Sequence, residues 1–267
     1  MPTEDWNPKA YAENSSAQAN WGAEMHGKLS LHGDESIIDI GCGDGRLTAR
    51  LAQRLPHGHI VGLDASPAMV EHARPAWGGV PGLEFRQADA RSFTVDEPVD
   101  ILVSNAVLHW IPDLAPVFRA SKSALKPGGR LLFQMGGTGN VVQVENAARR
   151  VLSRDPWNKW FDGLPPVWHM HSPEEASRDV EAAGLSPVRA ELLERDMSHE
   201  GPDAMLGWMR TTWFSVVSKA PEELRERLLH EILAEFLAEN PPDNEGGTHV
   251  RMVRLEVEAL APSPPPY

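Results

Sequence analysis

Asp39-Ile40-Gly41-Cys42-Gly43-Asp44-Gly45 lies where a buried apolar run, Ile37-Ile38-Asp39-Ile40, gives way to a helical pattern starting near Leu47. A strand that turns straight into a helix presents backbone N–H groups and a helix N-terminus, a place that can receive a nucleotide cofactor. The glycines permit a tight turn and close approach of a ligand to the backbone. Their spacing is G-x-G-x-G, and Arg46 stands where the dinucleotide fingerprint has its third glycine. Asp64 closes the next strand, where a carboxylate can accept hydrogen bonds from both ribose hydroxyls. Loop, strand context and acidic residue together point to a nucleoside-containing cofactor, with a plain structural turn as the alternative.

Charge separates the possible cofactors. A dinucleotide brings a diphosphate, poorly served by a loop bracketed by Asp39 and Asp44, whereas S-adenosylmethionine carries a sulfonium and an ammonium against one carboxylate. The acidic loop favours the cationic ligand. A nicotinamide-dependent oxidoreductase and a cofactor-binding module without chemistry of its own are the competing readings.

The elements that must position these residues follow from the apolar pattern. Between residues 36 and 135 short apolar runs alternate with helical segments, as parallel strands joined by crossover helices do. Strands are predicted at Ile37–Ile40, His59–Asp64, Leu83–Asp89, Val99–Asn105 and Arg130–Met135, the last entered through a tight turn at Lys126-Pro127-Gly128-Gly129. Ser66-Pro67 and Ser172-Pro173-Glu174-Glu175 have the order of cap, proline and first turn that opens a helix. Further strands are predicted at Val188–Met197 and Val250–Ala259, with two helices over residues 203–239 separated by Pro221. The expected fold is α/β, a doubly wound, mostly parallel, seven-stranded Rossmann-like sheet. Residues 1–35 would form an N-terminal helical cap, residues 36–200 and 248–260 the Rossmann-like domain, and residues 201–247 a helical lid inserted between the last two strands. Residues 261–267, with four prolines, are expected to be a disordered tail.

Composition narrows the partners. The formal charge of -13 repels phosphate backbones and anionic lipids, so neither nucleic acid nor a membrane surface is an expected partner. A single cysteine, Cys42, excludes an intrachain disulfide framework and fits a reducing cytoplasmic compartment. No stretch approaches the roughly 18 uninterrupted apolar residues of a membrane span. The aromatic balance is unusual, with nine Trp beside two Tyr and seven Phe. Most of these tryptophans fall in the N-terminal segment, at Trp110 and in the late insertions, which suggests an aromatic-walled cavity above the sheet.

The ordered set Ile37 to Gly45, Asp64, Gln87-Ala88-Asp89-Ala90, Ser104 to Asp113 and Leu125-Lys126-Pro127-Gly128-Gly129 resembles the motifs of class I S-adenosylmethionine-dependent methyltransferases. The opening Asp5-Trp6-Asn7-Pro8 with Tyr11, and the Asn105–Asp113 segment, are similar to trans-aconitate and juvenile hormone acid methyltransferases, which methylate carboxylates. The resemblance implies that Gly41 and Gly43 pack against the methionine part of the cofactor and that Asp39 sits near its amino group. It implies Asp64 on the ribose, with Ala65, Ser66 and Met69 beside sugar and adenine, and Asp89 and Ala90 at the adenine. Asn105, with Ala106, Val107 and Trp110 after it, would lie at the methionine side, while Tyr11, Ser15, Ser16, Gln18 and Trp21 would fold over the cofactor.

Methyl transfer requires alignment of nucleophile and methyl group and exclusion of water. A carboxylate, with an ordinary pKa near about 4, is already ionised at neutral pH and needs no general base. A small-molecule carboxylate oxygen is therefore the leading acceptor. For a phenol, amine or carbon acid a base would help, and His109, after the fourth strand, is the candidate. His169 and His171 are runners-up, and their spacing does not make a metal site. Met205, Trp208, Met209, Trp213 and Phe214 recur at helical spacing, as core does, yet one face of a lid helix can also cover an apolar acceptor. Trp168, Trp208, Trp213 and Arg210 are the substrate-side candidates, and Arg210, Arg251 and Arg254 are cations that could pair with an acceptor carboxylate. Monomer and dimer are both left open.

Overall fold

The computed structural model describes residues 16–165 and 167–263, with side chains in the first helix from residue 20 onward. Trp6, Tyr11, Ser15, the side chains of Ser16 and Gln18, and residues 264–267 of the expected tail lie outside the described residues. In chain order the elements are α1 Ser16–Gly27, β1 Ser36–Ile40, α2 Arg46–Ala52, β2 His59–Asp64, α3 Pro67–Trp77, β3 Leu83–Gln87, β4 Val99–Asn105, α4 Ala115–Ala124 and β5 Leu125–Gly136. They continue as α5 Val142–Leu152, α6 Pro173–Ala182, β6 Ser186–His199, α7 Pro202–Thr212, α8 Phe214–Val217, α9 Arg225–Glu239 and β7 Thr248–Leu260.

The seven strands form one sheet in the order β3-β2-β1-β4-β5-β7-β6. The first five pair in parallel, and β7 runs antiparallel to β5 with Arg130 opposite Leu260 and Gly136 opposite Arg254. This is the doubly wound sheet that the alternating pattern predicts. Two boundaries differ. β3 ends at Gln87, because Asp89 turns the chain by accepting from Arg91 N (2.8 Å) while its carbonyl accepts from Ser92 N (3.0 Å). β5 starts at Leu125, directly after α4, and the register jumps from the pair Val99–Leu125 to Ile101–Arg130. Lys126 to Gly129 is therefore a bulge inside the strand and not a turn before it.

The chain divides into two compact units: residues 1–138, 170–193 and 254–267, and residues 139–169 and 194–253. The second unit thus takes in α5 and the distal parts of β6 and β7, more than the insertion of residues 201–247 that the helical pattern marks.

In the first unit strand alternation sends side chains to two cores. Ile38, Ile40, Leu102, Leu131 and Phe133 join Val117 and Phe118 of α4 and Ala176 and Val180 of α6 on one face. Ile37, Ile101, Val103 and Leu132 join Met25 of α1, Ala49 and Leu51 of α2 and Val70 of α3 on the other. Helix starts follow their signals. Ser66 Oγ accepts from Met69 N (3.4 Å) ahead of Pro67, and Ser172 and Glu175 form a reciprocal capping box. In the second unit α5 and α9 bury Val144, Ala147, Val151, Leu228, Ile232 and Phe236. Trp157 is fully buried there, its Nε1 donating to Glu231 (2.6 Å) under the guanidinium of Arg227, 5.5 Å from the ring centroid.

Candidate functional site

The carboxyl ends of β3, β2, β1 and β4 surround one pocket, of about 1030 Å³ counting the part open to solvent. The sheet order reverses direction between β1 and β4, and ligands of open α/β sheets bind at such a switch point. Ile40, Gly41 and Gly43 contribute from the β1 loop, Asp64, Ala65, Ser66 and Met69 from β2 and α3, Ala88, Asp89, Ala90 and Arg91 after β3, and Ala106, Val107, Trp110, Ile111 and Pro112 after β4.

The glycine loop is held from below. Gly41 N and Cys42 N donate to Leu63 O (2.6 and 2.9 Å), Gly43 N to Asp64 Oδ2 (2.9 Å), Gly45 N to Cys42 O (3.0 Å) and Arg46 N to Asp44 Oδ1 (3.1 Å). These amides are bound within the protein, so the loop does not present them as the cradle that a diphosphate needs. Gly41 has φ 76° and no room for a side chain: a Cβ there would sit 2.3 Å from Val107 Cγ2. Val107 reaches that place because Ala106 adopts φ 59°, a left-handed conformation costing a non-glycine residue about 1–2 kcal/mol. The strained turn after β4 thus closes the pocket against the loop after β1.

Asp64 is held between two amides, Oδ2 accepting from Gly43 N and Oδ1 from Ser66 N, both at 2.9 Å. Burial raises its pKa, and the two amides oppose that rise. Each oxygen keeps a lone pair for a hydroxyl donor in the pocket. Asp39 does not line the pocket. It is 4% exposed, accepts from Thr48 Oγ1 (2.6 Å), and is pushed by burial up to about 6. Asp44 pairs with Arg46 (3.3 Å) and Asp89 with Arg91 (2.5 Å), whose guanidinium holds the Asp89 carboxyl below the usual carboxylate range. Of the four aspartates clustered by motif, Asp64 and Asp89 line the pocket, Asp64 half-buried between two amides and Asp89 paired with Arg91.

Asn105 lies beside the lining, against α1. A Cβ on Gly22 would come within 2.7 Å of Asn105 Nδ2 and 2.5 Å of Leu47 Cδ1, so the glycine lets the helix pass this close to β4 and α2. Trp21, the preceding residue, is 9% exposed, with the Arg254 guanidinium 5.4 Å from its ring centroid. His109 also stands outside the lining, its ring centroid 5.7 Å from that of Trp110. Its Nδ1 accepts from Gly136 N (3.2 Å), which places the proton of the neutral ring on Nε2. Burial, then Arg254 and His171, lower its pKa to about 3. A ring so weakly basic, with Nδ1 occupied, is suited to donate a hydrogen bond from Nε2 and not to remove a proton. His171 Nε2 meets Ile111 O (3.0 Å) and so fixes one wall of the pocket.

The substrate-side candidates belong to the second unit. Trp213 is fully buried and meets Trp168 edge-on at 5.0 Å, and Trp208 is 3% exposed beside His199. Arg210 is exposed and bound through Nε and Nη2 to Glu226 (2.8–3.2 Å). Sequence reasoning missed Ile40, Ala88, Arg91, Ile111 and Pro112 as lining residues, all within two positions of residues it chose. It also missed Trp77, whose Nε1 donates to Asp44 O (2.9 Å) and so braces the glycine loop from α3. No pattern in the sequence ties a helix tryptophan to a loop carbonyl. Among the described residues no helix is long and apolar enough to cross a membrane, and no group of His, Cys, Asp and Glu is placed to hold a metal ion.

Residues 31–161 match the family model described as a methyltransferase domain. The chain is 36% identical over 218 residues to the trans-aconitate 2-methyltransferase of Streptomyces coelicolor, covering 78% of this chain and 70% of that one. It is 28% identical over 237 residues to the enzyme of the same name from Escherichia coli K12, covering 86% and 89%. Among solved structures it is similar to an S-adenosylmethionine-dependent methyltransferase of Mesorhizobium loti, with TM-score 0.52 at 23% identity over 91% of this chain and 97% of that one. It is also similar to the cyclase SpnF, with TM-score 0.58 at 17% identity over 92% and 81%. These structural likenesses establish the fold, and the cyclase among them is the reason a reaction must be argued from the site. The Streptomyces relative and the matched domain carry more than fold: the chain belongs to the class I S-adenosylmethionine-dependent methyltransferases, as a relative of the trans-aconitate methyltransferases.

Proposed function

We propose that the protein methylates a carboxylate oxygen of a small organic acid of the trans-aconitate type, using S-adenosylmethionine. The observation that carries the cofactor choice is the glycine loop itself, with its amides bound inward and Asp64 held between Gly43 and Ser66. Asp64 would take the ribose hydroxyls, Met69, Ala88 and Ala90 the adenine faces with Asp89 at its edge, and Gly41 and Gly43 the methionine part. Asp39, beneath the loop, would act through its charge and not through contact. When bound, the cofactor supplies a methyl carbon on a sulfonium, so that the new O–C bond forms as the C–S bond breaks, positive and negative charge cancel and no proton is released.

The acceptor choice rests on His109. Residues 106–112, the turn after β4, contain no other titratable side chain, and His109 is neutral, weakly basic and engaged at Nδ1. A carboxylate requires no base, whereas a phenol, ammonium or carbon acid does. The chain's own work is to align the acceptor and keep water away, through the apolar wall of Val107, Trp110, Ile111 and Pro112. A buried, unpaired thiol at Cys42, raised well above its usual pKa by burial, suits the reducing cytoplasm in which we place the reaction.

The test is a methyl-transfer screen with purified protein over trans-aconitate, other carboxylic acids, phenols, amines and carbon acids, reading S-adenosylhomocysteine. Turnover of the acids is expected. Reaction of phenols or carbon acids with the acids inert would overturn the acceptor, and calorimetric binding of NAD without binding of S-adenosylhomocysteine would overturn the cofactor.

A further inference from the structure

Of the four residues that the segment after β3 gives to the pocket lining, Ala88 and Ala90 bring methyl groups, and Asp89 and Arg91 bring charge. The two charged residues are bound to each other at every point they offer. Asp89 Oδ1 accepts from Arg91 N (2.8 Å) and from Arg91 Nε (2.9 Å). Asp89 Oδ2 accepts from Arg91 Nη2 (2.5 Å) and, at 3.1 Å, shares the same Nε–H. The Asp89 carbonyl accepts from Ser92 N (3.0 Å), which closes the turn beneath the pair. A carboxylate has about four in-plane acceptor directions. Arg91 fills both on Oδ1 and one on Oδ2, so one direction on Oδ2 is left. With side chains 38% and 53% exposed, the pair contributes little to folding stability, because solvent screens such ion pairs. What its fork and amide do accomplish is to fix how the carboxylate is turned.

We infer that Arg91 is a positioning residue for cofactor selection: it holds the Asp89 carboxylate so that a single acceptor direction faces the exocyclic amine of adenine, and the pocket takes a 6-aminopurine and rejects a 6-oxopurine. The inference rests on the cofactor reading above, which puts Asp89 at the adenine edge. An amine meets that one direction with an N–H donor. A 6-oxopurine brings a carbonyl there, acceptor against acceptor, and the carboxylate is not free to turn toward the N–H that such a base carries at N1. Without Arg91 the carboxylate can turn and accept from either base, so discrimination falls more than affinity does. Arg91 acts through Asp89 and needs no contact of its own with the base.

The experiment measures, by calorimetry, the affinities for S-adenosylhomocysteine and for its deaminated analogue S-inosylhomocysteine in the wild type, Arg91→Gln, Arg91→Lys and Asp89→Asn. The wild type is expected to prefer the adenine ligand by about 100-fold or more, since a site built to bond an amine rejects an analogue that lacks it. In Arg91→Gln that ratio should fall by about tenfold, with the melting temperature near that of the wild type. Arg91→Lys keeps the charge and lacks the fork, so it should resemble Arg91→Gln, and it decides the matter should Arg91→Gln fail to fold. An unchanged ratio in Arg91→Gln, or equal weakening of both ligands, would show that Arg91 merely supports the loop and would overturn the inference. Full selectivity in Arg91→Lys would overturn it too, by making charge and not orientation the cause. Asp89→Asn separates the two readings. If it alters the ratio while the Arg91 variants do not, Asp89 reads the base without help; if it leaves the ratio unmoved, or if the wild type binds neither ligand, the cofactor reading itself falls.

Discussion

Asp64 meets two demands at once, because the carboxylate that faces the pocket also ties Gly43 to Ser66. Asp64→Asn puts an amide NH₂ against one of two backbone N–H donors, and hydrogen bonds to charged groups are worth about 1.5–3 kcal/mol. Calorimetry should show affinity for S-adenosylhomocysteine falling by about tenfold or more, and unchanged affinity would remove Asp64 from the cofactor site. Asp39 is tested by pH. Its folded pKa, about 6, lies above the ordinary aspartate value of 3.8, so the folded chain keeps a proton that the unfolded chain has lost. Stability is therefore lost as pH rises through that window, by about 3 kcal/mol at most. In urea titrations the wild type should weaken relative to Asp39→Asn between about pH 4 and pH 7, and parallel curves would show that the carboxyl is solvated. His109, held at about 3, gives the opposite sign but the same kind of test. No ionisation of this ring should appear in kcat/KM near neutrality, and a limb at about pH 6.5 that vanishes in His109→Gln would restore it as a base. The glycines and Asp64 are legible in the sequence because backbone geometry fixes where such residues must stand. Trp77 and Arg91 are not, because what they do depends on how the loops after β1 and β3 fold, and no spacing records that.

Elements decide whether the pocket stays open. The loop after β1 and the strained turn after β4 fit only because Gly41 yields its place to Val107. Gly41→Ala places a methyl group inside that side chain at a left-handed φ, and overpacking alone costs about 1–3 kcal/mol. A lower melting temperature and loss of S-adenosylhomocysteine binding are expected, with stability partly regained in Gly41→Ala/Val107→Ala. If the double variant melts no higher than the single one, backbone strain and not Val107 sets the cost. At this scale the sequence reads well where periodicity speaks, in β1, β2, β4 and the serine-capped α3 and α6. It reads less well where tertiary pairing overrules a turn signal. Pro127-Gly128-Gly129 is such a signal, yet the segment is absorbed into β5 because Gly128 N and Ala261 N exchange bonds with Ala261 O and Gly129 O (3.0 and 2.8 Å). The reach of β6 and β7 into the second unit likewise follows from pairing that no local pattern reveals.

Across the molecule the charge of -13 is less telling than how charges are paired. Asp44 and Asp89 both have cationic partners, so the pocket is less acidic than the motif cluster implies. Glu256 is the clearest case. Its side chain is fully buried and joins four distant segments: Lys28 at 2.7 Å before β1, Gln134 of β5 at 3.1 Å, Arg189 of β6 at 2.5 Å and β7 itself. Burial alone would raise its pKa, and the hydrogen bonds from Lys28, Arg189 and Gln134 hold it below the usual range instead. With its folded pKa below the unfolded value, the stability it contributes is present near neutrality and lost as pH falls through the folded pKa. Removing one member of a buried ion cluster leaves the others uncompensated, at a cost of about 3–5 kcal/mol. Glu256→Gln keeps the shape and leaves Arg189 and Lys28 without that anion, so it should lose about 3 kcal/mol in urea unfolding at about pH 7 and little at acid pH. Glu239→Gln supplies the comparison, because Glu239 is 62% exposed beside Arg150 and such a pair is worth about 0–1 kcal/mol. If the two variants unfold alike, the distant segments are joined by apolar packing and the buried ion cluster contributes nothing beyond it.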